Sequence, residues 1–190
     1  TAILAICDPG DEVILLRPFY FNHEMAVGIA SARAVVVDLG ADFLPDLDRL
    51  AAAITPRTRL LITVSPNNPS GVVYPASLLT AINRLCQKHG IFHLNDEAYE
   101  YFVYDGAQHF SPASLPDAAN HTVTVQSFSK TYAMASWRVG CLLAPASLAS
   151  AIRKIQDTNI ICAPVISQFA ALGALAAGPA YCAPFIAGLA

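Results

Sequence analysis

Thr122-Val123-Thr124-Val125-Gln126-Ser127-Phe128-Ser129-Lys130 carries the pattern that decides the fold. Four β-branched residues, Thr122 to Val125, read as a short buried strand. The chain then turns rich in hydroxyls and reaches a lysine, with Arg138 eight positions further on. The same pattern occurs twice before. Leu60-Leu61-Ile62-Thr63-Val64 runs into Ser65-Pro66-Asn67-Asn68-Pro69-Ser70-Gly71, and Ile91-Phe92-His93-Leu94 runs into Asn95-Asp96-Glu97-Ala98-Tyr99. Apolar runs that open into polar loops suit strands of a parallel sheet, buried on both faces.

Helical segments separate these strands. Leu78, Leu79, Ile82, Leu85 and Cys86 form a helical stripe closed by Lys88-His89-Gly90, late positive charge followed by glycine. Leu47, Leu50, Ala51 and Ile54 form another, with Pro45 near its start and Pro56 at its stop. Two further strands are expected at Val13–Leu16 and Ala34–Val37, and a last one over Arg138–Leu143. Further helices are expected around Leu148, Ile152 and Ile155, and from Val165 to Ala177. The alternation predicts an α/β domain, a mostly parallel mixed sheet flanked by helices. The loops at Asn68, Asp96 and Lys130 then share the C-terminal edge of that sheet, where open α/β sheets bind ligands.

Composition narrows the function classes. Only 13% of the 190 residues are charged, 55% are hydrophobic, and the formal net charge is −3. Typical soluble domains carry about 25% charge. So little charge reads as a slice of a larger protein, or a subunit that buries much of its outside in a partner. No basic run supports nucleic-acid binding. Five scattered cysteines, with no CxxC, suit reduced thiols in the cytoplasm rather than a disulfide or zinc framework. No histidine has metal-ligand spacing, so no metal is expected; His23 is read as a helix-surface residue and Glu97 as a structural hydrogen-bonding group. No signal peptide is evident. The uncharged stretch from Ile160 to Ala190 is long enough for a membrane span. Prolines and glycines interrupt it, so a buried helix is expected there and no membrane partner.

Taken singly, each polar loop has an ordinary reading. Asn68-Pro69-Ser70-Gly71 makes a turn, Asp96 and Glu97 cap a helix, Lys130 and Arg138 are solvated, and Tyr20 packs in the core. Together, in one order on one sheet edge, they resemble the large domain of class I/II aminotransferases, fold-type I enzymes dependent on pyridoxal 5'-phosphate. The matching signatures are Asn68-Pro69-Ser70-Gly71, Asp96-Glu97-Ala98-Tyr99 and Ser127-Phe128-Ser129-Lys130 with Trp137-Arg138-Val139-Gly140. Asp8-Pro9-Gly10-Asp11 and Pro18-Phe19-Tyr20 add weaker matches.

The resemblance implies a role for each position. Lys130 forms the internal aldimine and later moves a proton between the substrate α-carbon and the cofactor. Asp96 pairs with the pyridine nitrogen. Asn68 and Tyr99 donate to the phenolic oxygen, Ser127 and Arg138 hold the phosphate, and Tyr20 (or Phe19) stacks on the ring. Burial and the nearby Arg138 would keep Lys130 partly neutral, as attack on a carbonyl requires. The cofactor would also relieve Asp96, otherwise a lone charge at the end of a buried strand. The implied activity is ping-pong transfer of an amino group from an L-amino acid to a 2-oxo acid in a homodimer. Carbon–sulfur lyases, cyclopropane-forming synthases and the non-catalytic sensor domains of transcription regulators share these residues.

Two pieces of the family pattern lie outside the sequence: a glycine-containing phosphate loop before Thr1 and a carboxylate-binding arginine in a small domain. Residues 1–178 are therefore read as a cofactor-binding domain incomplete at its N-terminus. Residues 179–190 are read as the start of the connection to the small domain. Such a piece is expected to be inactive alone.

Overall fold

The computed structural model describes residues 1–189. One sheet contains β1 (Glu12–Arg17), β2 (Arg33–Asp38), β3 (Thr58–Val64), β4 (Phe92–Asp96), β5 (Thr122–Ser127) and β6 (Gly140–Leu143). Their spatial order is β2-β1-β3-β4-β5-β6. The neighbours from β2 through β5 pair in parallel, while β6 runs antiparallel to β5. The helices are α1 (Ala2–Ile6), α2 (Phe21–Ile29), α3 (Leu47–Ala53), α4 (Ala76–His89), α5 (Phe128–Thr131), α6 (Ala149–Asn159), α7 (Val165–Ala177) and α8 (Pro179–Ala187).

Side-chain alternation splits the core into two layers. Val13, Leu15, Leu60, Ile62, Leu94 and Val123 pack on the face covered by α1, α2 and α6. Ile14, Leu16 and Leu61 pack on the opposite face against Leu50 of α3 and Leu79, Ile82 and Cys86 of α4. Local signals set the helix ends. The Asp46 carboxylate accepts hydrogen bonds from the Asp48 and Arg49 amides at 2.9 and 3.0 Å, an N-cap. Gly90 ends α4 at φ 65°, left-handed backbone that glycine adopts without strain.

On the α4 side the sheet turns polar at β4. His93 is fully buried and sits within hydrogen-bonding distance of Thr63 Oγ1 (2.8 Å) and Asn83 Nδ2 (3.1 Å). Thr63 donates its own proton to Asn95 Oδ1 at 2.6 Å, so it accepts from His93 Nε2–H. Asn83 donates to Thr122 Oγ1 at 2.7 Å and accepts from His121 at 3.0 Å, which orients its amide and leaves His93 Nδ1 as an acceptor. A second proton on His93 would face the Asn83 amino group. Burial, and then the neighbouring His121, push His93 down to about 3. The unfolded chain takes up that proton near pH 6.5, so stability is complete above that pH and falls as pH drops towards the folded value. We expect a loss of roughly 2 kcal/mol between pH 6.5 and 5 from this group. Urea unfolding across that range should show it, and His93→Gln should flatten the slope.

Three expectations are corrected here. The uncharged C-terminal stretch is helical but mostly exposed: Ile166, Phe169, Leu172 and Leu175 of α7 and Phe185 of α8 face outward, each more than half exposed. Pro184, one of the prolines expected to interrupt the stretch, lies inside α8. The expected strand over Arg138–Leu143 begins only at Gly140, because Arg138 itself lies in a left-handed turn at φ 52°. No helix among the described residues is long and apolar enough to cross a membrane, and α7 and α8 meet at an 82° bend.

Candidate active site

The strand ends set the floor of the site. Val64, Asp96 and Val125 are partners in register across β3, β4 and β5. In parallel neighbours, partnered residues point to the same face. Asp96 therefore lies between two apolar side chains on the α2 side of the sheet, together with Leu94. Glu97, the next residue, points to the other side.

A cavity of about 320 Å³ opens above this floor, at the low end of small-molecule sites (about 300–1,000 Å³). All seven residues singled out in the sequence line it: Tyr20, Asn68, Asp96, Tyr99, Ser127, Lys130 and Arg138. They arrive from the ends of β1, β3, β4 and β5 and from the turn before β6. Phe19, the alternative to Tyr20, packs into the apolar core instead.

Each side chain is held by its own segment. Lys130 belongs to α5, a single turn rather than a loop. Its N-cap is Ser127, whose Oγ accepts from Ser129 N–H at 3.2 Å. The Lys130 Nζ lies 5.7 Å from the centre of the Tyr99 ring. Lys130 is exposed, so the expected burial around it is not met in this chain. Asn68 leaves a tight loop in which Asn67 Oδ1 accepts from the Ser70 amide and hydroxyl at 3.1 and 2.8 Å. Arg138 Nη1 donates to Ala135 O at 2.8 Å, which ties one side of the guanidinium to its own turn. Gly140 brings that turn close. A Cβ there would sit 2.7 Å from Gln126 O, so a side chain would push β6 away from β5.

Asp96 departs most from expectation. It is not a lone charge. Oδ2 lies 3.0 Å from His23 Nε2, and Oδ1 accepts from Ala98 N–H at 3.0 Å. His23, read from sequence as a helix-surface residue, is only 14% exposed in its side chain. It reaches Asp96 because α2 crosses the same face of the sheet. Its one sequence signal is its place three residues beyond Tyr20, on the helix leaving the same strand end. Glu97 does take the structural role expected of it, accepting from Asn95 Nδ2 at 2.9 Å.

The donor set tests what the cavity can hold. Its lining carries two cationic side chains and one carboxylate, an excess of positive charge that favours an anionic ligand. An arginine fork beside a serine hydroxyl suits phosphate. A carboxylate fixed at the cavity floor suits a protonated ring nitrogen, and a lysine amine suits an aldehyde. The residues present therefore fit pyridoxal phosphate.

A family model described as aminotransferase class I and II matches residues 1–181. Among curated relatives, the chain is 40% identical over 173 residues to a probable aspartate/prephenate aminotransferase of Thermus aquaticus, covering 90% of this chain and 44% of the relative. It is 38% identical over 177 residues to an arginine–pyruvate transaminase of Pseudomonas aeruginosa, covering 92% and 45%. The chain thus spans less than half the length of these relatives. Among solved structures, a Thermus thermophilus aspartate aminotransferase superposes with a TM-score of 0.87 at 39% identity, over 91% of this chain and 45% of that one. The N-succinyldiaminopimelate aminotransferase of Mycobacterium tuberculosis gives 0.94 at 34% identity, over 99% and 50%.

Proposed function

We propose, because the chain belongs to the class I and II aminotransferase family, that it is the cofactor-binding part of a pyridoxal-phosphate enzyme. That enzyme moves an amino group from an L-amino acid to a 2-oxo acid. The observation that carries this reading is the single cavity into which separate strand ends deliver Lys130, Asp96, Asn68, Tyr99, Ser127 and Arg138. Pyridoxal phosphate, when bound, supplies a ring that accepts electron density from the substrate α-carbon.

The chain's own residues supply the rest. Lys130 would hold the cofactor aldehyde through its amine and would take up and return the α-proton. Asp96, oriented by His23 and the Ala98 amide, keeps the ring nitrogen protonated. Asn68 and Tyr99 donate to the phenolic oxygen. Ser127 and Arg138 would hold the phosphate, and Tyr20 would pack on the ring. Residues 1–178 form the cofactor domain in this reading, and 179–190 begin the connection to a second domain. The exposed apolar faces of α7 and α8 support a second copy of the enzyme as their cover. Five free thiols support a cytoplasmic setting. The isolated 190-residue piece has little or no turnover in this reading; robust turnover by it would overturn that part.

Borohydride reduction of the cofactor-loaded full-length protein, followed by peptide mapping, tests the site. The label is expected on Lys130, and label on another lysine or on none would remove the assignment. Product formation that requires the oxo acid as well as the amino acid separates transamination from lyase chemistry.

A further inference from the structure

We infer that Glu97, Glu100 and His109 form a site for a zinc-class divalent cation behind the strand end that carries Asp96. Glu97 is 1% exposed and turned away from the cavity. Its Oε1 accepts from Asn95, but its Oε2 is buried without a hydrogen-bond partner. Both ring nitrogens of His109 are likewise buried without a hydrogen-bond partner. His109 Nε2 approaches Glu97 Oε2 to 3.3 Å without making a hydrogen bond. One ligand atom from each of Glu97, Glu100 and His109 falls within 4.8 Å of the other two. Gln126 Nε2 donates to Glu100 Oε2 at 3.2 Å and steadies that carboxylate.

The geometry favours an ion over a simple pair. An imidazolium paired with Glu97 would aim its N–H at the oxygen. Here the two atoms lie 3.3 Å apart, within ion-pair distance, yet make no hydrogen bond. Two ligands on a tetrahedral ion at about 2.0–2.1 Å are separated by about 3.4 Å. Two carboxylates and a neutral imidazole carry a net charge of −2, which a divalent cation neutralises. A mixed nitrogen and oxygen donor set suits zinc better than magnesium, which prefers oxygen and water. Such an ion would join the turn holding Asp96 and Tyr99 to the segment carrying His109.

The full-length, cofactor-loaded protein, stripped with chelator and dialysed, is titrated calorimetrically with zinc chloride, with magnesium chloride as control. One zinc ion per chain and a rise in Tm are expected, with no saturable magnesium binding. Glu100→Gln and His109→Gln should each weaken zinc by more than about tenfold, since even residues that only orient ligands cost that much. The cofactor absorbance of both variants should match the parent. Glu100 is partly exposed, so its variant serves if the histidine variant fails to fold. Absence of saturable zinc binding, preference for magnesium, or zinc binding unchanged in the variants would overturn the site.

Discussion

Lys130→Ala in the full-length protein is expected to abolish transamination and borohydride trapping together while leaving the fold in place. The proton transfer proposed for this amine is worth about 10²–10⁴-fold in rate, and loss of the proposed covalent anchor would add to it. Lys130→Arg should fare no better, because a guanidinium does not become a neutral nucleophile at working pH. Stability should barely move. Lys130 is exposed, with its amine over the Tyr99 ring. An exposed contact of that kind is worth about 0.5–1 kcal/mol. Single-turnover assays beside a thermal melt check both halves. A Lys130→Ala enzyme that retains normal turnover would show that the chemistry is run by another group.

Asp96→Asn should produce the second largest loss, through charge rather than shape. Asparagine keeps an acceptor for the Ala98 amide and fills the same space between Val64 and Val125. It removes the anion proposed to hold a proton on the ring nitrogen. Loss of one preorganised electrostatic group costs about 10²–10³-fold in kcat, so a drop of that order is expected, with weaker cofactor binding. Cofactor titration and stopped-flow turnover measure the two effects. His23→Ala leaves the charge and removes its holder, so a smaller drop of about tenfold is expected. Near-normal kcat in Asp96→Asn would dissociate this carboxylate from the ring nitrogen.

The fold is legible where burial is two-sided. The runs at Leu60–Val64, Ile91–Leu94 and Thr122–Val125 have no face on which to place charge, and each becomes a central strand. The lining of the cavity is legible for a related reason: polar residues that interrupt such runs fall at the sheet edge. What remains hidden depends on partners distant in sequence. His23 meets Asp96 across 73 positions, a proximity set by how α2 crosses the sheet. The turn at Arg138 is hidden because β6 pairs antiparallel, and closeness at Gly140 sets where the strand begins. The apolar face of α7 reads as a core helix from composition alone. Its exposure depends on what else covers the sheet, and no periodicity encodes that.

The opposite facing of Asp96 and Glu97 has a consequence for how the gene can change. The two carboxylates are adjacent, yet one enters the cavity and the other enters a buried polar network. Losing one codon within β4 would bring Glu97 onto the cavity face and turn Asp96 away from it, because a slip of one residue turns every side chain of a strand to the other face. The longer glutamate would then stand at the cavity floor, and Asp96 would take the place now held by Asn95, paired with Thr63. Codons inserted in the exposed stretch between Tyr104 and Gln108 would leave that phase intact. Length variation in this gene should therefore accumulate after the strand end and spare the five codons of β4.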